Sequence, residues 1–142
     1  MDEIHVIGGK CLHGNITVQG SKNTVLPLMA GALLYRGINV LKACPRITDV
    51  FYMEEILRAL GAETWWEDHD LYLDCTHADG SHVPEIYSGR MRSSIILLGP
   101  ILARNQQAEI GYPGGCVIGK RPVDLHLYVL RRFGAEIKEE EK

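Results

Sequence analysis

The sequence has 142 residues, 46% of them hydrophobic and 23% charged, and its 15 basic and 18 acidic side chains leave a formal net charge of -3. That composition fits a single globular domain and excludes the strong positive field of a general nucleic-acid or membrane-surface binder, so any anion must be held by a local group of cations. The start, MDEIHVIGG, is acidic where a secretory leader is basic, and no uncharged apolar run reaches membrane-spanning length, so the expected location is the cytoplasm, with no membrane and no nucleic acid as partner.

In chain order, residues 4–7 and 16–19 alternate apolar and polar side chains and read as strands. Val25, Leu28, Met29, Ala32 and Leu33 recur at helical spacing, and Leu26 and Leu34 widen the stripe almost all round, which predicts a helix buried on most sides. Pro27 is tolerated there only because it falls in the opening turns. A strand is predicted at 38–42, then an amphipathic helix from about 49 to 60 with Val50, Met53, Leu57 and Leu60 inward, Glu54, Glu55 and Arg58 outward, and Gly61 as its left-handed cap. Strands at 63–66 and 71–74 follow, and Trp65 and Trp66 read as strand packing because no basic patch surrounds them. A second apolar helix opens on Arg90, Met91 and Arg92. After it come a strand at 109–112, a helix from Pro122 to Gly134 and a strand at 136–138. Helices and strands alternate throughout, which is the pattern of an α/β fold.

The order of parts occurs twice. Arg46, Ile47, Thr48 and Asp49 lead into a helix closed by Leu60-Gly61-Ala62-Glu63, and Arg121, Pro122, Val123 and Asp124 lead into one closed by Phe133-Gly134-Ala135-Glu136. Upstream, Lys22 and Asn23 open the first apolar helix and Arg92 opens the second. Residues 30–34 align with 99–103 at an offset of 69, whereas Arg46 aligns with Arg121 at 75, so the second copy holds six extra residues, in or beside PGGCVIGK. A loop enlarged in one copy of a repeat points to function rather than scaffold.

That loop carries Cys116 among glycines, close in sequence to Lys120 and Arg121, a setting that favours the reactive thiolate. Cys11, Cys44 and Cys75 lie on strand-like segments and read as small buried hydrophobes, and with no C-x-x-C pair all four cysteines are expected to be free thiols. Residues 114–120 match G-x-x-x-x-G-K, but Arg121 stands where a phosphate-binding P-loop needs Ser or Thr for magnesium, and Pro122 delays the helix, so a P-loop nucleotide binder is disfavoured. His77 and His82 have no partners at metal-ligand spacing, so no metal is expected. Lys22 and Arg92 open apolar helices where the macrodipole disfavours a cation, a conflict that a bound anion removes. With Arg121 they are candidates for one anion site.

PGGCVIGKRPVDLH at 113–126, GSKN at 20–23, MRSSI at 91–95 and FGAEIK at 133–138 together resemble the UDP-N-acetylglucosamine enolpyruvyl transferases, the 1-carboxyvinyltransferases of peptidoglycan synthesis, over essentially the whole chain. The cysteine loop separates that group from the sister enolpyruvylshikimate phosphate synthases. The resemblance implies an inside-out α/β barrel in which similar units surround a pseudo-threefold axis with the more apolar helices inward. This chain would supply two units, about 21–80 and 88–142, of one incomplete domain, and residues 1–20 would belong partly to the other domain.

It also implies that Lys22 and Asn23 contact phosphoenolpyruvate and that Arg92 helps hold the substrates. Arg121, Pro122, Val123, Asp124 and Leu125 would lie against UDP-N-acetylglucosamine, with Arg121 also close to the phosphate. Cys116 would be the proton donor, able to form an adduct with the enolpyruvyl group and targeted by fosfomycin. No cofactor or metal is implied. The family's general base, an aspartate of the other domain, has no counterpart in these residues, so little turnover and some self-association are expected of the chain alone. The alternative is a binding module that keeps the nucleotide-sugar contacts without catalysis.

Overall fold

The computed structural model describes residues 3–114 and 122–140. The first repeat comprises α1 (Lys22–Ala32), β1 (Ile38–Leu41), α2 (Thr48–Ala59), β2 (Glu63–Glu67) and β3 (Asp70–Asp74). β3 lies in the middle of the sheet with β1 and β2 antiparallel to it on either side. The outer strands therefore run parallel to each other, and α2 is the crossover that joins them. Asp68 turns the β2–β3 hairpin with φ 49°, a left-handed conformation that aspartate tolerates. The two-residue period of the strands sends Leu71, Leu73 and Trp66 into the core beneath the helices, and leaves Trp65 stacked on Tyr72 at 5.1 Å on the other face. Both tryptophans are strand-packing residues.

The predicted stripe of α2 is buried at Val50, Met53, Leu57 and Leu60. Glu54, expected outward, is instead only 2% exposed. Its carboxylate accepts hydrogen bonds from Arg58 Nη2 (3.1 Å), Thr64 Oγ1 (2.9 Å) and Trp66 Nε1 (3.1 Å), and these partners make a buried charge tolerable. α1 is less enclosed than its sequence predicts. Val25, Leu26, Met29 and Leu33 are buried, but Leu28 and Leu34 face solvent at 53% and 62% exposure.

The repeated Gly-Ala-Glu signature is a helix stop. Gly61 (φ 98°) and Gly134 (φ 94°) both take the left-handed conformation, and the next residue's amide reaches back in the same way in each copy, Ala62 N to Leu57 O at 2.9 Å and Ala135 N to Leu130 O at 3.0 Å. At Gly61 a Cβ would also come within 2.7 Å of the His77 carbonyl.

Ahead of the second apolar helix lie β4 (His82–Val83), which the alternation of the sequence does not signal, and the single turn α3 (Glu85–Ser88). A 3-10 turn, Arg92–Leu97, runs straight into α4 (Leu98–Asn105). β5 (Glu109–Ile110) then pairs in parallel with β4, and α5 (Asp124–Arg132) follows. β5 is shorter than the predicted 109–112, and α5 starts two residues after Pro122, with Val123 at its cap position. Residues 136–138 form no strand. In the first repeat the corresponding β2 is held only by β3, and no counterpart of β3 follows here among the described residues, so Ile137 packs instead on Val123 and Leu127.

Residues 3–20 form neither helix nor strand, and Ile4, Ile7 and Ile16 are at least 90% exposed. The alternation predicted strands, but among the described residues no strand runs alongside to take their backbone hydrogen bonds. Arg104, near the end of α4, ties the two repeats together. Its buried guanidinium donates to the carbonyls of Leu33 (2.8 Å), Cys75 (2.6 Å) and Thr76 (3.1 Å) and to Asp79 Oδ1 (3.3 Å). No helix among the described residues is long and apolar enough to cross a membrane.

Candidate active site

Lys22 is the first residue of α1. Ser21 occupies the cap position without a side-chain cap bond, so the first amides of the helix remain open to an anion. The α1 first turn carries no acid, nor does that of the 3-10 turn that Arg92 opens. α1 packs against both α2 and this 3-10 turn, so the elements that start with Lys22 and Arg92 touch. Lys22 Nζ pairs with Asp49 Oδ2 at 3.0 Å, from the first turn of α2. Arg92 is half-buried and has no hydrogen-bond or ion-pair partner among the described residues. Asn23 is exposed beside Lys22, and Pro27, which has no N–H to donate, leaves the Asn23 carbonyl without its helical bond.

Of the second R-x-x-D segment, Pro122 is exposed, Val123 is buried with Ile95 and Leu127, Asp124 lies exposed in the first turn of α5, and Leu125 is largely exposed. Cys116, Lys120 and Arg121 lie outside the described residues. An apolar groove runs between Ile95, Ile96 and Leu98 on one side and Leu125, Val129 and Leu130 on the other, and neither Lys22 nor Arg92 lines it.

The described thiols separate clearly. Cys44 is buried, and its thiol is pushed up to about 11, first by burial and then by the Glu54 carboxylate. Burial also raises the Cys75 thiol, against the opposing charge of Arg104. Neither is a nucleophile at neutral pH. Cys11, expected to be a buried hydrophobe, is exposed in the segment without regular structure. Among the described residues no three His, Cys, Asp or Glu side chains come together as metal ligands. The contact at the candidate site that sequence reasoning missed is the ion pair of Lys22 with Asp49. The available signal was the repeat itself, because R-x-x-D places an aspartate at the start of both α2 and α5.

Comparison with known proteins agrees with the motifs. Residues 6–142 match the profile of the family described as EPSP synthase (3-phosphoshikimate 1-carboxyvinyltransferase). The UDP-N-acetylglucosamine 1-carboxyvinyltransferase 2 of Caldanaerobacter subterraneus subsp. tengcongensis is 42% identical over 139 residues, which cover 98% of this chain and 33% of the relative. The UDP-N-acetylglucosamine 1-carboxyvinyltransferase of Dichelobacter nodosus is 38% identical over 138 residues, 96% of this chain and 33% of the relative. The chain thus spans about a third of the length of these curated relatives. The crystal structure of the enolpyruvyl transferase NikO from Streptomyces tendae superposes with a TM-score of 0.64 at 27% identity, covering 69% of this chain and 23% of that one, so the α/β arrangement is that of part of an enolpyruvyl transferase. With the profile matched over nearly its whole length, the chain belongs to the EPSP synthase (3-phosphoshikimate 1-carboxyvinyltransferase) family.

Proposed function

We propose that these residues form part of the active site of a UDP-N-acetylglucosamine 1-carboxyvinyltransferase, which moves the enolpyruvyl group of phosphoenolpyruvate onto the sugar 3'-hydroxyl and releases phosphate. The observation that carries this reading is the identity of 42% and 38%, over nearly the whole chain, to two relatives of that name from different organisms. The arrangement of helix starts supports it. Phosphoenolpyruvate bears a carboxylate and a phosphate, and Lys22 and Arg92 open two packed elements whose first turns hold no acid.

In this proposal Lys22 and Asn23 bind phosphoenolpyruvate, Arg92 and Arg121 complete the anion site, and Arg121, Pro122, Val123, Asp124 and Leu125 lie against the nucleotide sugar. The Cys116 thiol gives a proton to the enolpyruvyl methylene carbon as the sugar oxygen adds to the neighbouring carbon; the methyl group so formed then gives a proton back to the thiolate as phosphate leaves, which restores the double bond. The proton of the 3'-hydroxyl leaves to a base outside these 142 residues, so the chain alone is expected to turn over little. The domain division follows the same reading, with residues 21–142 as two units of one domain and residues 1–20 partly in another. Apolar side chains exposed on α1, in the turn after it and on α5, among them Leu28, Leu34 and Leu125, fit self-association of the isolated chain.

Intact-mass measurement of fosfomycin labelling, with and without UDP-N-acetylglucosamine, tests the reading. One adduct that the nucleotide sugar enhances and Cys116→Ser abolishes is expected. A folded chain that stays unlabelled, or labels equally in Cys116→Ser, contradicts it.

A further inference from the structure

The outer face of the first-repeat sheet, opposite the helices, is arranged in rows that folding alone does not favour. Across the β2–β3 hairpin the register sets Glu63 against Asp74, Trp65 against Tyr72 and Glu67 against Asp70, so an aromatic pair is bracketed by two pairs of acids. These six alternate along their strands with Thr64, Trp66, Leu71 and Leu73 and therefore share one face. Like charges directly opposite each other on neighbouring strands destabilise a sheet, and here they stand at both ends of one hairpin. No lysine or arginine among the described residues forms an ion pair with any of the four carboxylates. Asp70 accepts from Ala43 N at 2.9 Å, and Asp74 from Thr76 N at 2.9 Å and Thr76 Oγ1 at 2.6 Å, but these bonds use Oδ1 alone. The hydroxyl and then the amide of Thr76, with the charge of His77 a weaker influence in the same direction, hold the Asp74 carboxyl below its ordinary value.

Between the acids the rings are held in place. Trp65 and Tyr72 stack at 5.1 Å and 15°, and Glu67 accepts from both, from Trp65 Nε1 at 3.3 Å and from the Tyr72 phenol. On β1 the register adds Val40 beside Tyr72 and Ile38 beside Asp74. Trp65, Val40 and Ile38 remain 36%, 40% and 54% exposed. An exposed ring pair next to unpaired carboxylates attracts a cation in two ways, through the ring faces and through the acids. Charge complementarity therefore selects a cationic occupant, and the planar, weakly hydrated guanidinium suits it better than an ammonium. The spacing adds a second condition. Glu63 and Glu67 are four residues apart on one strand, about 13 Å at the usual rise, which is also the distance between side chains i and i+4 of an extended chain.

We propose that this face docks an extended, arginine-bearing segment of a partner protein, with an arginine over each acid pair and an apolar side chain between them on Val40, Tyr72 and Trp65. The test uses this chain and a fluorescein-labelled peptide, Ser-Arg-Ser-Leu-Ser-Arg-Ser, at low ionic strength, with binding followed by fluorescence anisotropy.

Saturable binding with a dissociation constant of about 100 μM is expected, and none for the peptide with glutamates in place of its arginines. Trp65→Ala weakens binding about tenfold and Glu63→Gln about threefold, whereas Glu136→Gln, which removes an exposed acid elsewhere, leaves it unchanged. The circular dichroism spectrum stays the same in all three. If Trp65→Ala fails to fold, Glu63→Gln decides, because the Glu63 side chain makes no hydrogen bond or ion pair among the described residues. Absence of binding overturns the proposal, as does binding that neither Trp65→Ala nor Glu63→Gln weakens. Binding that Glu136→Gln weakens as much as Glu63→Gln also overturns it, because net charge then accounts for the effect. Sedimentation velocity of the chain alone tests the other occupant: self-association that Glu63→Gln abolishes would give the face to a second copy and overturn the assignment to a basic segment.

Discussion

The two repeats share a capping signal, yet the first supplies most of the main core, to which the second adds only Val83, Met91, Leu97 and Ile101 among the described residues. In the first, α1 and α2 cover a three-stranded sheet, and Met29, Val50, Met53, Ile56, Leu57, Leu71 and Leu73 are almost fully buried. In the second, a two-stranded pair of two residues each accompanies α4 and α5; α4 packs into the main core through Ile101, whereas the separate cluster that holds α5 contains, among the described residues, Ile95, Val123 and Leu127. The local sequence of α5 is no worse than that of α2. It has its glycine cap, an acid in the first turn and basic residues in the last. What it lacks is a hairpin across from it, like the one that brings Leu71 and Leu73 against α2. Local signals place helices, and burial depends on what lies opposite.

The largest effect that sharpens this contrast comes from matched truncations. Leu73→Ala removes a fully buried side chain from the first core and is expected to cost about 3–4 kcal/mol, whereas Leu127→Ala, in the small cluster, costs about 1 kcal/mol. Urea titration followed by circular dichroism measures both. Equal losses would mean that the second repeat is as cooperatively packed as the first. Next in size is Arg104→Ala. It removes a guanidinium that satisfies three carbonyls and Asp79 across the boundary between the repeats, at an expected cost of about 2–3 kcal/mol. Arg104→Lys should recover little, because a single ammonium cannot span the same acceptors. A variant that unfolds in two steps would identify Arg104 as the tie that makes the repeats one unit, and an unchanged midpoint would refute that role.

What could be read from the sequence follows the same division between local and distant causes. The α2 stripe, the glycine caps and the strands at 63–66 and 71–74 are written in neighbouring residues and appear in the structure. Glu54 was misread because the partners that draw it inward, Thr64 and Trp66, lie ten and twelve positions away on another element. The alternation at 4–7 and 16–19 is a strand pattern without a neighbouring strand, and β4 is too short to show a period. For the site, GSKN and MRSSI mark the starts of two elements that pack against each other in the fold. The Lys22–Asp49 pair was hidden because it joins two elements that only folding makes adjacent.

The smallest expected effect concerns alkaline pH. The Cys44 thiol titrates at an ordinary value of about 9.0 when unfolded and at about 11 in the folded chain, because burial, and then Glu54, disfavour the thiolate. Below the unfolded value both states hold the proton and the thiol has no influence on stability. Between about pH 9 and about pH 11 the unfolded chain releases a proton that the folded chain keeps, so the unfolded state gains and stability falls as pH rises. The raised Cys75 thiol and the raised Tyr72 phenol, the latter held first by its hydrogen bond to Glu67, act in the same direction and also lie in the first repeat. Both tryptophans, Trp65 and Trp66, belong to that repeat as well, so their fluorescence in a urea titration reports its unfolding alone. The midpoint should decline across this window, and Cys44→Ala should decline less steeply, although its midpoint at neutral pH is lower because a buried side chain has been shortened. A decline of equal slope in Cys44→Ala would move the alkaline sensitivity away from this thiol, to Cys75 and Tyr72.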